Sequence, residues 1–210
     1  MIKIEKNNKK PNNKMNYISD ILYWISTGLL VPVIVLLIFF FVRSLLLIGN
    51  FFGQYLSIRR TASLISKELD TLDSDTVLTL AERLPKKNPS IVVTYLNRLL
   101  EAKDNAAMRQ RLLADFEVEI DKDLSSSKIL CKMGPMLGLM GTLIPMGPAL
   151  VGLSTGDIAS MAYNMQVAFA TTVVGLFAAA VGFITQQVKQ RWYFKDMANL
   201  EFVSELLNEK

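Results

Sequence analysis

Few residues in this chain could do chemistry, and those few are hydroxyls set in apolar surroundings. Thr142, Thr171 and Thr172 stand inside two long stretches without charge, one between Lys132 and Asp157 and one between Asp157 and Lys189. Small residues recur around them. Ala168, Thr172, Gly175, Ala179 and Gly182 step by 4, 3, 4 and 3 positions, which places them on one stripe of a helix. Gly134, Gly138, Gly141, Pro145, Ala149 and Gly152 form a related pattern in the earlier stretch. Lipid tails gain nothing from small side chains, whereas closely packed helices do, so each stripe is a face for helix packing. A threonine in such a face can bond a carbonyl of its own helix, or it can line the path of an ion. Neither stretch contains Asp, Glu, Lys or Arg. If this protein moves ions, the carboxylate that binds them must come from another chain, because charged groups at membrane depth mark ion paths.

Other chemistries are excluded by composition. The chain has no histidine, which removes imidazole acid/base catalysis, Ser-His-Asp triads, His-ligated haem and zinc sites that need imidazole. Its single cysteine, Cys131, permits no intrachain disulfide and no cysteine metal cluster. At its position next to an apolar stretch it reads as a small hydrophobe rather than a reactive thiol. No constellation of nucleophile, base or metal ligands stands out, so we expect neither an enzyme nor a bound cofactor. The net charge of +4 is spread along the chain rather than gathered, which gives no reason to expect nucleic acid as a partner.

The elements that must hold the threonines are membrane helices. Hydrophobic residues make up 51% of the 210 residues and mean hydropathy is +0.30, a balance that points to the lipid bilayer. A first apolar run, 21–42, is 22 residues long. At ~1.5 Å per residue it reaches ~33 Å, against a hydrocarbon core of ~30 Å. The other two spans have their most apolar parts at 136–153 and 165–184. Pro32 inside the first span is tolerated in a membrane helix. The lysines before that span resemble the start of a secretory signal, but the run is too long and Arg43-Ser-Leu-Leu-Leu offers no cleavage site, so an uncleaved anchor is expected.

Residues 154–160 carry no Lys or Arg, while Lys128 and Lys132 flank one side of the hairpin and Lys189, Arg191 and Lys195 the other. Positive-inside asymmetry therefore places the hairpin loop outside and both flanks in the cytosol. With three spans the N-terminus is then outside, although its five lysines favour the opposite. The resulting division is a disordered basic tail over 1–20, a first span with its extension over 21–56, a cytoplasmic helical region over 57–132, a hairpin core over 133–188 and a C-terminal helix over 189–210.

Residues 43–133 hold 14 Lys/Arg against 12 Asp/Glu, a balanced and water-compatible composition. Asp73-Ser-Asp-Thr begins a helix that Pro85 ends, and Asn88-Pro89 opens the next at 90–102. Met108, Leu112, Phe116, Ile120 and Leu124 keep a helical apolar stripe, and no proline or glycine interrupts before Gly134, so this helix runs into the second span. Tyr193, Met197, Leu200 and Leu207 extend the third span in the same way. The fold class is an all-α membrane protein of three transmembrane helices with long cytoplasmic extensions.

Two motifs carry a resemblance. Pro135-Met-Leu-Gly-Leu-Met-Gly-Thr142 resembles the run that opens a core helix of the MotA/TolQ/ExbB proton-channel family. Ala168-Phe-Ala-Thr-Thr172-Val-Val-Gly175-Leu176-Phe-Ala-Ala is similar to the run of its partner helix. The likeness covers about residues 128–190, and three spans with an external N-terminus fit the TolQ/ExbB branch. It implies a homo-oligomeric ring, a pentamer in this family, around the single-span helices of two ExbD/TolR/MotB-like subunits. Each of those carries a membrane aspartate. Thr142 and Thr172, with Thr171 beside them, would line the ion route, and ion flow would drive work outside the membrane. There are two departures. Pro145 stands where many members have glycine, and Val167, with Gln166 beside it, replaces a glutamate of ExbB-like members. Proton and sodium both remain open, as does a non-conducting scaffold in which the small-residue faces serve oligomerisation alone.

Overall fold

A computed structural model describes the backbone of residues 13–69 and 90–208, and the side chains of residues 17–55 and 90–208. Four helices are present: α1 (Asn13–Leu69), α2 (Ile91–Glu101), α3 (Ala106–Thr155) and α4 (Ile158–Leu206). No strand occurs among the described residues. Three helices, α1, α3 and α4, are long and apolar enough to cross a membrane, as the sequence predicts. The helix expected over Val77–Leu84 lies outside the described residues, and so does most of the expected N-terminal tail. α1 already begins at Asn13, ahead of the apolar run, because nothing between Asn13 and Ile21 breaks a helix.

The described residues form two compact units, one from the chain up to Phe40 with Gly134–Leu176, the other from Phe41–Met133 with the chain from Phe177 onward. In the first unit α1 buries Val33, Leu37 and Phe40, spaced at i, i+4 and i+7. Leu137 and Ala149 of α3 and Ala168 of α4 are also buried, while Leu139, Leu143, Phe169 and Val173 point outward. Large apolar side chains on the exterior as well as in the core are the pattern of a helix bundle surrounded by lipid or by other membrane helices.

The α3–α4 turn of this unit is tighter than the sequence suggests, since both helices extend into the expected loop. Gly156 has φ +76°, a conformation glycine adopts without steric cost. Its N–H donates to the Leu153 carbonyl at 3.2 Å, and the Asp157 N–H donates to the Gly152 carbonyl at 2.8 Å. This pair of bonds is a Schellman motif. The Asp157 carboxylate then accepts the Ser160 N–H at 3.0 Å, capping α4.

α3 is helical through Pro135, Pro145 and Pro148. Each proline lacks an N–H, so the carbonyls four residues earlier, on Cys131, Gly141 and Ile144, lose their helical donors.

The second unit has a water-type core. Val93, Leu96 and Leu99 of α2 pack with Leu112 and Phe116 of α3 and with Leu200 and Val203 of α4. Tyr95 meets Phe116 edge-on with centroids 5.1 Å apart, and the Arg98 guanidinium lies 5.3 Å above the Tyr95 ring. Met108, expected inside, is 42% exposed. The inward position in that turn is taken by Arg109, which is buried and donates to the Lys103 carbonyl and to Asn208 Oδ1. Its guanidinium satisfies carbonyls at the end of α2, which a methionine could not do.

Candidate ion-path seam

In the first unit α3 and α4 meet along glycines. A Cβ added to Gly175 would stand 2.6 Å from the Gly134 carbonyl oxygen and 2.9 Å from the Gly138 Cα. One added to Gly138 would be 3.6 Å from the Thr172 and Gly175 backbones. The helices are therefore in backbone contact, an approach only residues without bulk permit. One turn further along, a Cβ on Gly141 would meet the Thr171 side chain at 2.6 Å. Ala168 is buried at 3%, and Pro145 is among the fully buried side chains. Ala179 and Gly182 belong to the second unit. Ala179 is buried there, and a Cβ on Gly182 would lie 2.8 Å from the Ser127 carbonyl oxygen.

The threonines separate into two environments. Thr171 is 8% exposed and its hydroxyl donates to the Ala168 carbonyl at 2.9 Å and to that of Val167 at 3.1 Å. Thr142 and Thr172 are half-buried. Thr142 donates to the Leu139 carbonyl at 2.7 Å, and Thr172 to the Ala168 carbonyl at 3.2 Å. Each hydroxyl thus spends its proton on its own helix and keeps its lone pairs. The row can accept from water or a protonated carboxyl, or ligate a small cation, and it donates only by giving up a helix bond. Of the residues that replace the family's glutamate, Gln166 is exposed and Val167 half-buried. Cys131 is a half-buried free thiol.

A polar cluster that the sequence reading missed occupies the second unit. Lys189, 4% exposed, donates to Asp123 Oδ2 at 2.9 Å, and the Tyr193 hydroxyl donates to the same oxygen at 2.5 Å. Burial first, then the bond to Asp123, pushes the Tyr193 phenol well above its ordinary range. The available signal was positional, since Lys189 is the first charge after the third apolar stretch and Asp123 precedes the second. A buried ion pair that loses one partner strands the other, at ~3–5 kcal/mol, whereas replacing both by apolar residues is often neutral. Asp123→Leu alone, which strands the buried Lys189, should therefore lower thermal stability in detergent severely, and adding Lys189→Met with Tyr193→Phe should recover most of the loss.

Asp196 is shifted too: burial raises it from 3.8 to about 6, opposed by the nearby Lys195. A raised folded-state value means that the folded protein favours the protonated acid. This stabilising contribution is complete below about pH 4 and is lost as pH rises through about 6. Asp196→Asn should raise the melting temperature above pH 6 and leave it little changed at pH 4, as thermal scans at the two pH values would show.

Among the described residues no group of His, Cys, Asp or Glu side chains could hold a metal ion. The family model for the MotA/TolQ/ExbB proton channel family matches residues 86–201, more than half of the chain. No curated protein and no solved structure matches the chain. The matched region takes in α2, all of α3, the glycine seam, all three threonines and most of α4. This chain, a multi-pass membrane protein, belongs to the MotA/TolQ/ExbB proton channel family.

Proposed function

We propose that the chain is the ring-forming ion-channel subunit of a stator-type motor in the inner membrane, in the manner of the TolQ/ExbB branch. Five copies surround two single-span ExbD/TolR/MotB-like subunits, with the N-terminus of each copy outside and its C-terminus in the cytosol. An aspartate on the partner helix carries the ion, a proton or sodium. Thr142 and Thr172, with Thr171 behind them, supply acceptor oxygens along its route. Each unit charge that crosses ~100 mV releases ~2.3 kcal/mol, which the partner turns into work outside the membrane.

One observation carries the reading: the hairpin of this family member carries Thr142, Thr171, Thr172 and a glycine seam, yet has no Asp, Glu, Lys or Arg between Lys132 and Asp157 or between Asp157 and Lys189. A channel built this way needs a carboxylate from another chain. Ion flux into liposomes that carry the native complex, under a proton gradient in one arm and a sodium gradient in the other, tests it. Flux of neither ion would leave the non-conducting scaffold, whose small-residue faces serve oligomerisation only.

A further inference from the structure

Away from the apolar spans, a folded surface that water wets seldom leaves large apolar side chains in the open. Among its described residues the second unit leaves several, and two stand out furthest. Phe194 of α4 is 66% exposed and Val118 of α3 is 68% exposed. Phe194 edges a groove of about 180 Å³ between α3 and α4, floored by Ile120, Leu124 and Met197 and rimmed by Glu117 and Asp121. Lys128 neutralises Asp121, so Glu117 carries the net charge of that rim.

Val118 belongs to a different face. At about 100° per residue it sits roughly 110° round α3 from the groove, on an exposed stripe with Arg111, Lys122 and Ile129. Arg111 is paired with Asp115 of its own helix at 3.9 Å, so Lys122 supplies the net charge here. One copy therefore offers an acid-rimmed apolar groove and, elsewhere, an apolar ridge with a lysine.

We propose that the groove receives the Val118–Lys122 ridge of a second copy of this chain, with Val118 against Phe194 and Lys122 against Glu117. The two surfaces differ, so the contact is head-to-tail, and such contacts close into rings when the rotation between copies permits. The proposal rests on the ring-forming reading of the chain and gives that ring a contact outside the membrane.

Cross-linking of the intact oligomer tests it. In a Cys131→Ser background, extracted in mild detergent and treated with a short bis-maleimide, chains carrying both Val118→Cys and Phe194→Cys should give a ladder of linked copies. Neither cysteine alone should link copies. A ladder from either single variant would show like meeting like and overturn the proposal, and so would an unlinked double variant. A native mass taken in parallel separates the failures. Monomers would mean that the ring reading itself is wrong, whereas an unlinked oligomer would remove only this contact. Lys122→Glu should weaken the ladder up to about fivefold, the scale of one exposed ion pair, and adding Glu117→Lys should restore it. An unchanged ladder in Lys122→Glu would overturn the charge pairing.

Discussion

Gly175→Leu should abolish the folded protein, whereas Gly28→Ala and Gly49→Ala should leave it intact. At Gly175 even a Cβ would lie 2.6 Å from the Gly134 carbonyl oxygen and 2.9 Å from the Gly138 Cα. Both obstacles are backbone, so no rotamer change relieves the contact and the helices must separate. Overpacking a fitted interface costs ~1–3 kcal/mol in ordinary cores, and a leucine at this backbone contact belongs at or beyond the upper end. Nothing lies within 4 Å of a Cβ at Gly28 or Gly49, and alanine favours a helix over glycine by ~0.5–1 kcal/mol. Recovery of monodisperse protein in detergent, with thermal melting of what is recovered, measures all three. A folded Gly175→Leu protein would mean that the seam is looser than the backbone distances indicate.

Thr172→Val should lower ion flux at least tenfold and leave assembly unchanged. Its hydroxyl bonds only the Ala168 carbonyl of its own helix, at 3.2 Å, so the isosteric valine removes an acceptor without opening a cavity. A hydrogen bond to a charged group contributes ~1.5–3 kcal/mol, roughly tenfold to a hundredfold in rate if it is made at the barrier. Thr171→Val should have a smaller effect. That hydroxyl is buried against Gly141 and committed to two carbonyls of its own helix, which leaves it poorly placed to meet an ion. Liposome flux assays on both variants decide the matter. Equal losses would move the ion route to the neighbouring threonine.

Much of this architecture was legible in the sequence because apolar length and small-residue spacing are local signals. The absence of charge from 133 to 156 and from 158 to 188 fixes where helices cross the membrane, and the 4, 3, 4, 3 spacing marks the face that carries Gly175 and Gly182. Periodicity put Thr172 on the small-residue stripe, yet Thr171 is the more deeply buried of the two, against Gly141. Adjacent residues on a helix differ by only about 100°, and which of them turns inward depends on where α3 lies. Met108 went astray for a related reason. A stripe at i, i+4 competes with one at i, i+3, and the buried acceptors around Arg109 tipped the choice. The Asp123–Lys189–Tyr193 cluster was harder still, because its partners are 66 and 70 positions apart and meet only once the hairpin has closed. The turn at Gly156 was underestimated because a Schellman motif followed by an aspartate cap needs only two residues between helices.

The most direct test of the proposed motor is the composition of the native complex. The tagged chain would be extracted from its own membranes in mild detergent and weighed by native mass spectrometry. The proposal predicts five copies together with two copies of a single-span protein that has an aspartate within its membrane helix. A homo-oligomer without such a companion, under conditions that preserve other membrane complexes, would contradict it and leave the chain as a scaffold.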